Sequence, residues 1–122
     1  MPVALMNERT REAVAVSVEI ASTRTSQRRP GRLGPDRLED ATAMLLAPCA
    51  AIHTAGMRFA IDVVFVDRRG CAVKIVRDLG PWRISLSAGA RAVIEMPAGS
   101  LCRGQVLPGD RLYLAPRSST PS

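Results

Sequence analysis

The chain has 122 residues, 47% of them hydrophobic and 23% charged, with a formal net charge of +6. That length supports one core burying roughly two-thirds of the unfolded surface, and is too short for two. The composition excludes whole-chain disorder, and no apolar run approaches the roughly 20 residues that cross a bilayer as a helix.

The charge is almost entirely arginine, since Lys74 is the one lysine among 17 basic residues. Its densest cluster, Arg24, Arg28, Arg29, Arg32 and Arg37, is opposed nearby only by Asp36 and lies in a stretch punctuated by Pro30, Gly31, Gly34 and Pro35. A nucleic-acid binder that stacks bases needs aromatic platforms beside its positive charge. The aromatic residues are Phe59, Phe65, Trp82 and Tyr113, and both phenylalanines read as core. A solvated basic face is therefore favoured over a nucleic-acid partner at Arg24–Arg37. Cys49, Cys71 and Cys102 are odd in number and lack CxxC spacing, which disfavours both a disulfide framework and a four-cysteine zinc site. Residues 1–20 are interrupted by Asn7, Glu8, Arg9, Arg11 and Glu12, leaving no apolar segment of signal-peptide length. A cytoplasmic protein with reduced thiols is expected.

Val14, Val16, Val18 and Ile20 alternate with Ala15, Ser17 and Glu19, the period-2 pattern of one half-buried strand. Residues 21–37 read as a surface connection, because Pro30 and Pro35 limit any helix to a turn or two. Leu38 to Leu46 suits a short helix or a turn into a strand. Met57, Phe59, Ile61, Val63 and Phe65 then place an apolar face on an extended run that ends in Asp67-Arg68-Arg69-Gly70. A three-residue loop with Gly70 in the left-handed position predicts a hairpin pairing Asp67 with Cys71, Phe65 with Val73 and Val63 with Ile75. Trp82-Arg83-Ile84 resumes an extended stretch, and a strand is expected over Ala90 to Met96. Pro97-Ala98-Gly99-Ser100 suits a helix start, with Leu101 and Cys102 in one short turn. Leu107-Pro108-Gly109-Asp110 has the proline and glycine of a type II turn, leading to a closing strand over Arg111 to Ala115.

These elements predict a mainly β fold: a small antiparallel sheet or partly closed barrel with one or two short helices, with α+β as the alternative class. The domain is expected over residues 14–115, after an N-terminal extension at 1–13 and before a disordered tail at 116–122.

Ile52-His53-Thr54, the run from Met57 to Asp67, Leu79-Gly80-Pro81-Trp82, the run from Ala90 to Gly99, and Pro108-Gly109-Asp110 together resemble the DUF-192 family. The similarity spans roughly Val16 to Leu114. It implies a small single-domain β-rich fold of bacterial and archaeal proteins and carries over no reaction, catalytic residue or ligand set. The family usually shows a glutamate-arginine pair before a Gly-Leu-Met-like stretch, where this chain has Ser26-Gln27-Arg28-Arg29-Pro30-Gly31-Arg32-Leu33.

Several side chains are candidates for chemistry. Cys49 and His53 are residue types that bind metals or form a nucleophile and its base, yet in an extended segment they stand about 13 Å apart. Neither a metal site nor a cofactor is expected. Asp62 interrupts an apolar strand and needs partners, which an arginine or backbone amides on another strand would supply. Glu95, between Ile94 and Met96, raises the same question, and two carboxylates converging in a cleft would support acid-base chemistry. Trp82 beside Arg83 supplies a large flat contact with a polar N–H. No G-x-G-x-x-G, P-loop, H-E-x-x-H or G-x-S-x-G motif is present.

The sequence therefore points first to a non-enzymatic binding or accessory domain for a small molecule or protein. Its groove would lie near His53, Met57, Arg58, Asp62, Trp82, Arg83 and Glu95. A small enzyme using Asp62 or Glu95 with His53 is the alternative, and a weak nucleic-acid binder through Arg24–Arg37 is a third. A monomer or weak dimer without a membrane partner is expected.

Overall fold

The computed structural model describes residues 3–21, 42–101 and 105–116. Ten strands follow in order: β1 (Val3–Asn7), β2 (Glu12–Ala15), β3 (Ser17–Ala21), β4 (Thr42–Leu46), β5 (Ala51–His53), β6 (Ile61–Val66), β7 (Ala72–Leu79), β8 (Ile84–Leu86), β9 (Ala92–Pro97) and β10 (Leu112–Pro116). They form a three-stranded sheet β10-β1-β2, a five-stranded sheet β3-β4-β9-β6-β7 and a two-stranded ribbon β5-β8. Pairing is antiparallel except between β3 and β4. The fold is thus mainly β, as the sequence predicts. The sheets do not close into a barrel, and the described residues contain no helix.

The five-stranded sheet is buried on both faces. Val64, Val66, Ile94 and Met96 join Leu5, Val14, Leu112 and Val106 in one cluster, packing the sheet against the three-stranded sheet. Ile61, Val63, Phe65, Val93 and Met44 join Ile52, Met57 and Ala90 in the other, beneath the ribbon and its loops. All six residues of β6 are consequently buried, which is why that strand is written as a continuous apolar run broken only by Asp62. Met57 belongs to the same core face as Ile61, although the strand itself starts at Ile61.

The alternating stretch at 14–20 is two strands rather than one. β2 pairs with β1 in the small sheet, β3 pairs with β4 in the large one, and the chain crosses between them at Val16. Alternation specifies faces but not partners, and Val16 and Ile20 stay exposed. The segment assigned to an extension supplies β1, which pairs with β10 from Val3 opposite Pro116 to Asn7 opposite Leu112. The expected helix start at Pro97 is instead a turn, in which the Ser100 N–H donates to the Pro97 carbonyl and Gly99 has φ of 90°. Of the stretch 38–46, residues 42–46 form β4, and the rest lies outside the described residues, as does the arginine cluster at 24–37.

The β6–β7 hairpin keeps the expected register only beside its turn. Asp67 N–H donates to the Cys71 carbonyl, Val66 opposes Ala72, and Gly70 has φ of 86°. Asp67 Oδ1 accepts from the Arg69 and Cys71 N–H groups, and the bond from Cys71 leads the causes that hold this carboxyl below its ordinary range. The register then shifts by one, so that Phe65 opposes Lys74 and Val63 opposes Val76, and shifts again to bring Ile61 opposite Leu79. The apolar match of Phe65 with Val73 gives way to Lys74, which places its ammonium 5.8 Å from the Phe65 ring centroid and donates to the Leu86 carbonyl at 2.9 Å.

Gly70 is required twice, by its positive φ and by the close approach of β10. A Cβ there would stand 2.6 Å from the Leu112 carbonyl oxygen. Gly70→Ala is expected to cost about 3 kcal/mol, the sum of left-handed strain and a backbone displacement, measured as a lowered urea midpoint.

Candidate functional site

The ribbon projects from the large sheet with one face in the core. Ile52 and Ser85 are buried, whereas Ala51 and His53 on β5 and Ile84 and Leu86 on β8 face outward. Since His53 opposes Ile84 and Ala51 opposes Leu86, these four residues share one surface. Ile84 is 74% exposed and Leu86 58%, and Trp82, just before β8, is 74% exposed.

Thr54 holds this end of the molecule together. It is fully buried, and its hydroxyl donates to the Gly80 carbonyl at 2.6 Å while accepting the Arg83 N–H at 2.8 Å. Its backbone N–H donates to the Arg83 carbonyl, and its carbonyl accepts from the Trp82 and Met57 N–H groups. The loops 54–60 and 80–83 are thereby fastened to each other through one side chain. Trp82 is bound there with φ of 59°, a left-handed conformation rare for a bulky residue. A large aromatic ring is thus held in solvent on strained backbone, a combination that core packing does not explain. Trp82→Asn is expected to stabilise the fold by about 0.5–1 kcal/mol, because asparagine tolerates this conformation and little apolar burial is lost. A thermal melt of both proteins checks the sign.

The structure gathers only part of the sequence-derived groove. His53, Trp82 and Arg83 lie at one end of the ribbon, Arg83 on the Ser85 face and His53 with Ile84 on the other, and exposed Arg58 lies on the Thr54 loop. The His53 Nδ1 accepts the Ala55 N–H at 3.3 Å. Met57 is 6% exposed and belongs to the core. Cys49 precedes the short β5 and His53 ends it, and the Cys49 thiol donates to the Ala51 carbonyl. Among the described residues no group of three or more His, Cys, Asp or Glu is placed to hold a metal ion.

The two buried carboxylates do not share a cleft. Glu95 lies directly opposite Val63 on β6 and Met44 on β4, and therefore on the ribbon side of the sheet. Asp62, one residue from Val63, projects to the other side with Val64 and Met96. The partners of Asp62 are backbone amides: Oδ1 accepts from Asp78 at 2.8 Å, and Oδ2 from Gly99 and Leu101 at 3.0 Å. Its carboxylate ties the β7 bulge, where Asp78 has φ of 60°, to the turn after β9. An open depression of about 380 Å³ adjoins it, lined also by Arg77, Asp78 and Ala98. The acid-base pairing of Asp62 with Glu95 is thus not assembled.

A second polar centre carries no comparable signal in the sequence. Asp110, expected only as a turn residue, is 7% exposed and receives a two-bond contact from Arg9, Nε to Oδ1 at 2.7 Å and Nη2 to Oδ2 at 2.9 Å. It also accepts from the buried Asn7 amide and the Leu107 N–H. The hydrogen bond from Arg9 is the largest cause that holds this carboxyl well below the usual carboxylate range, against the opposing effect of burial. The network joins β1 to the turn before β10.

Open sheets, a strained aromatic at a ribbon end and buried carboxylates that accept from backbone amides define a small β domain. The chain belongs to the DUF192 family, described as an "Uncharacterized ACR", whose model matches residues 5–114. No curated protein matches the sequence significantly. A solved structure of a protein of unknown function from Novosphingobium aromaticivorans DSM 12444 is similar, with a TM-score of 0.72 and 23% identity over 93% of this chain and 84% of that one. A second, of a proposed transcription regulator from Sinorhizobium meliloti 1021, has a TM-score of 0.71 and 24% identity over 92% of this chain and 91% of that one. At these identities the likeness shows the fold. Among the described residues no helix is long and apolar enough to cross a membrane.

Proposed function

We propose that this protein is a non-enzymatic binding domain whose partner is another protein, held on the outer face of the β5-β8 ribbon. The observation that carries this reading is Trp82, kept in solvent on a left-handed backbone by the Thr54 clamp beside the exposed Ile84. Tryptophan is prominent among the residues that dominate the energetics of protein contacts, and here it precedes the exposed Ile84 and Leu86 on β8. A protein is favoured over a small molecule because the exposed apolar groups extend along the ribbon from Trp82 through Ile84 to Leu86. A cytoplasmic place of action belongs to the same proposal, supported by three cysteines in the sequence without CxxC spacing.

Affinity capture with the whole chain as bait tests it, using wild type, a Trp82→Asn/Ile84→Ser double variant and Tyr113→Ser on the distant β10. A partner retained by wild type and Tyr113→Ser but lost by the double variant is the expected result. Retention unchanged by the double variant overturns the proposal, as does the absence of any retained protein.

A further inference from the structure

Three features of the ribbon together specify the chemistry of what it holds. Its exposed centre is apolar: Trp82, Ile84 and Leu86. Its margins are cationic. Arg83, which pairs with Thr54 and so lies on the Ser85 face of β8, is exposed at one end, the exposed Arg91 lies at the other, where its carbonyl accepts the Cys49 N–H at 3.0 Å, and Lys74 lies along β8 with its ammonium on the Leu86 carbonyl. The segments 49–61 and 79–94, which build the ribbon and its loops, contain no aspartate or glutamate. The acids at their boundaries face elsewhere or are buried: Asp62 projects from the opposite side of the sheet, Glu95 is fully buried, and Asp78 marks the bulge that Asp62 holds.

We infer that the ribbon binds an extended protein segment in which acidic residues alternate or intersperse with large apolar ones. The inference rests on the binding proposal above and narrows it. An apolar centre within a polar rim is the anatomy of a protein interface, and a rim of one sign selects a partner of the other. A second copy of this chain is disfavoured, because face-to-face association would bring Arg83, Arg91 and Lys74 together with their counterparts. An extended partner is favoured over a bilayer by the β8 backbone. In the antiparallel pair, Ser85 exchanges its ladder bonds with Ile52, as shown by the flanking bonds from Thr54 to Arg83 and from Ser87 to Ala50. The N–H and carbonyl of Ile84 and the N–H of Leu86 therefore point away from β5, toward an edge where no strand pairs among the described residues. A polypeptide strand satisfies such groups and hydrocarbon does not.

Trp82 is the chain's only tryptophan, so its fluorescence reports on this face directly. The full chain would be titrated with an eight-residue peptide of alternating glutamate and leucine, its serine-for-glutamate and lysine-for-glutamate counterparts, phosphatidylserine-containing vesicles, and a single-stranded oligonucleotide. A saturable blue shift with the glutamate peptide alone is expected, weakening about tenfold between low and physiological salt. Arg83→Glu/Arg91→Glu should abolish that shift and create one with the lysine peptide, an inversion that a misfolded variant cannot give. An equal shift with the serine peptide overturns the acidic assignment while leaving the binding proposal standing. A shift with vesicles or oligonucleotide alone overturns the protein segment in favour of a membrane or nucleic acid. No shift with any ligand overturns the inference, and the capture comparison above then separately decides the fate of the binding proposal.

Discussion

Replacing Asp62 by alanine is expected to remove about 3–5 kcal/mol of stability, a large share of the 5–15 kcal/mol that holds an ordinary domain folded. Three backbone N–H groups, of Asp78, Gly99 and Leu101, lose their acceptor at once. The residue is 1% exposed with Val64 and Met96 on its face of the sheet, so the freed amides have only the adjoining depression from which to recruit water. Asp62→Asn should fall between alanine and wild type, since its oxygen still accepts on one side while its amide meets an N–H on the other. Urea titration of the three proteins gives the order. Hydrogen exchange at Gly99 and Leu101 supplies the local readout, with faster exchange expected in both variants. A loss below about 1 kcal/mol in the alanine variant would show that the amides find other acceptors.

Acid should weaken the fold through Asp110. Its folded carboxyl is held below its ordinary range by Arg9, so the folded state binds a proton less readily than the unfolded chain. The stabilisation is therefore complete above the unfolded value of about 3.9 and is lost as pH falls from there through the folded value. Asp67 is shifted in the same direction but lies on an exposed turn, so its share is small. Asp110→Asn cannot ionise, and its urea midpoint should decline less than that of wild type between about pH 5 and pH 2. Near neutral pH the same variant should be less stable by about 2–3 kcal/mol. Most of that comes from the buried Asn7 amide and the Leu107 N–H, because the Arg9 side chain is 45% exposed and its ion pair is screened. Equal acid limbs for the two proteins would mean that other carboxylates govern the loss.

What was legible in the sequence was local backbone chemistry. The turn at 107–110 has the Asp110 N–H to Leu107 carbonyl bond and a positive φ at Gly109, because a Pro-Gly pair leaves few alternatives. Gly70 is left-handed for the same kind of reason. Partner choice over long range was not legible. Nothing at Val16 marks the crossing between two sheets, and the apolar alternation that suggested one strand serves both equally well. The β6–β7 register was legible only beside the turn, because apolar matching does not reveal that Lys74 places its ammonium near the Phe65 ring and on an oxygen of β8. At the ribbon end, Trp82-Arg83 was legible as a large aromatic next to a cation, and both are exposed. The residue that organises it, Thr54, has an ordinary side chain whose importance arises from Gly80 and Arg83, 26 and 29 positions away. Asp62 was rightly singled out as a carboxylate in need of partners, whereas Asp110, in a turn where aspartate is commonplace, concealed a buried network.

The strands nearest the chain ends are each other's neighbours, and they meet with Val3 beside Pro116 and Asn7 beside Leu112. A pull applied at residues 3 and 116 therefore loads this pair as a zipper, one rung at a time, rather than in shear across all rungs together. The rungs part in order until the opening reaches Asn7, where the side-chain bonds to Asp110 and the Gln105 carbonyl, reinforced by Arg9, form a latch. That latch, a few residues inside the seam, is the first side-chain resistance such a pull meets; a motor drawing on residue 116 peels the edge strand β10 before reaching it, whereas one drawing on residue 3 has also to part β1 from β2.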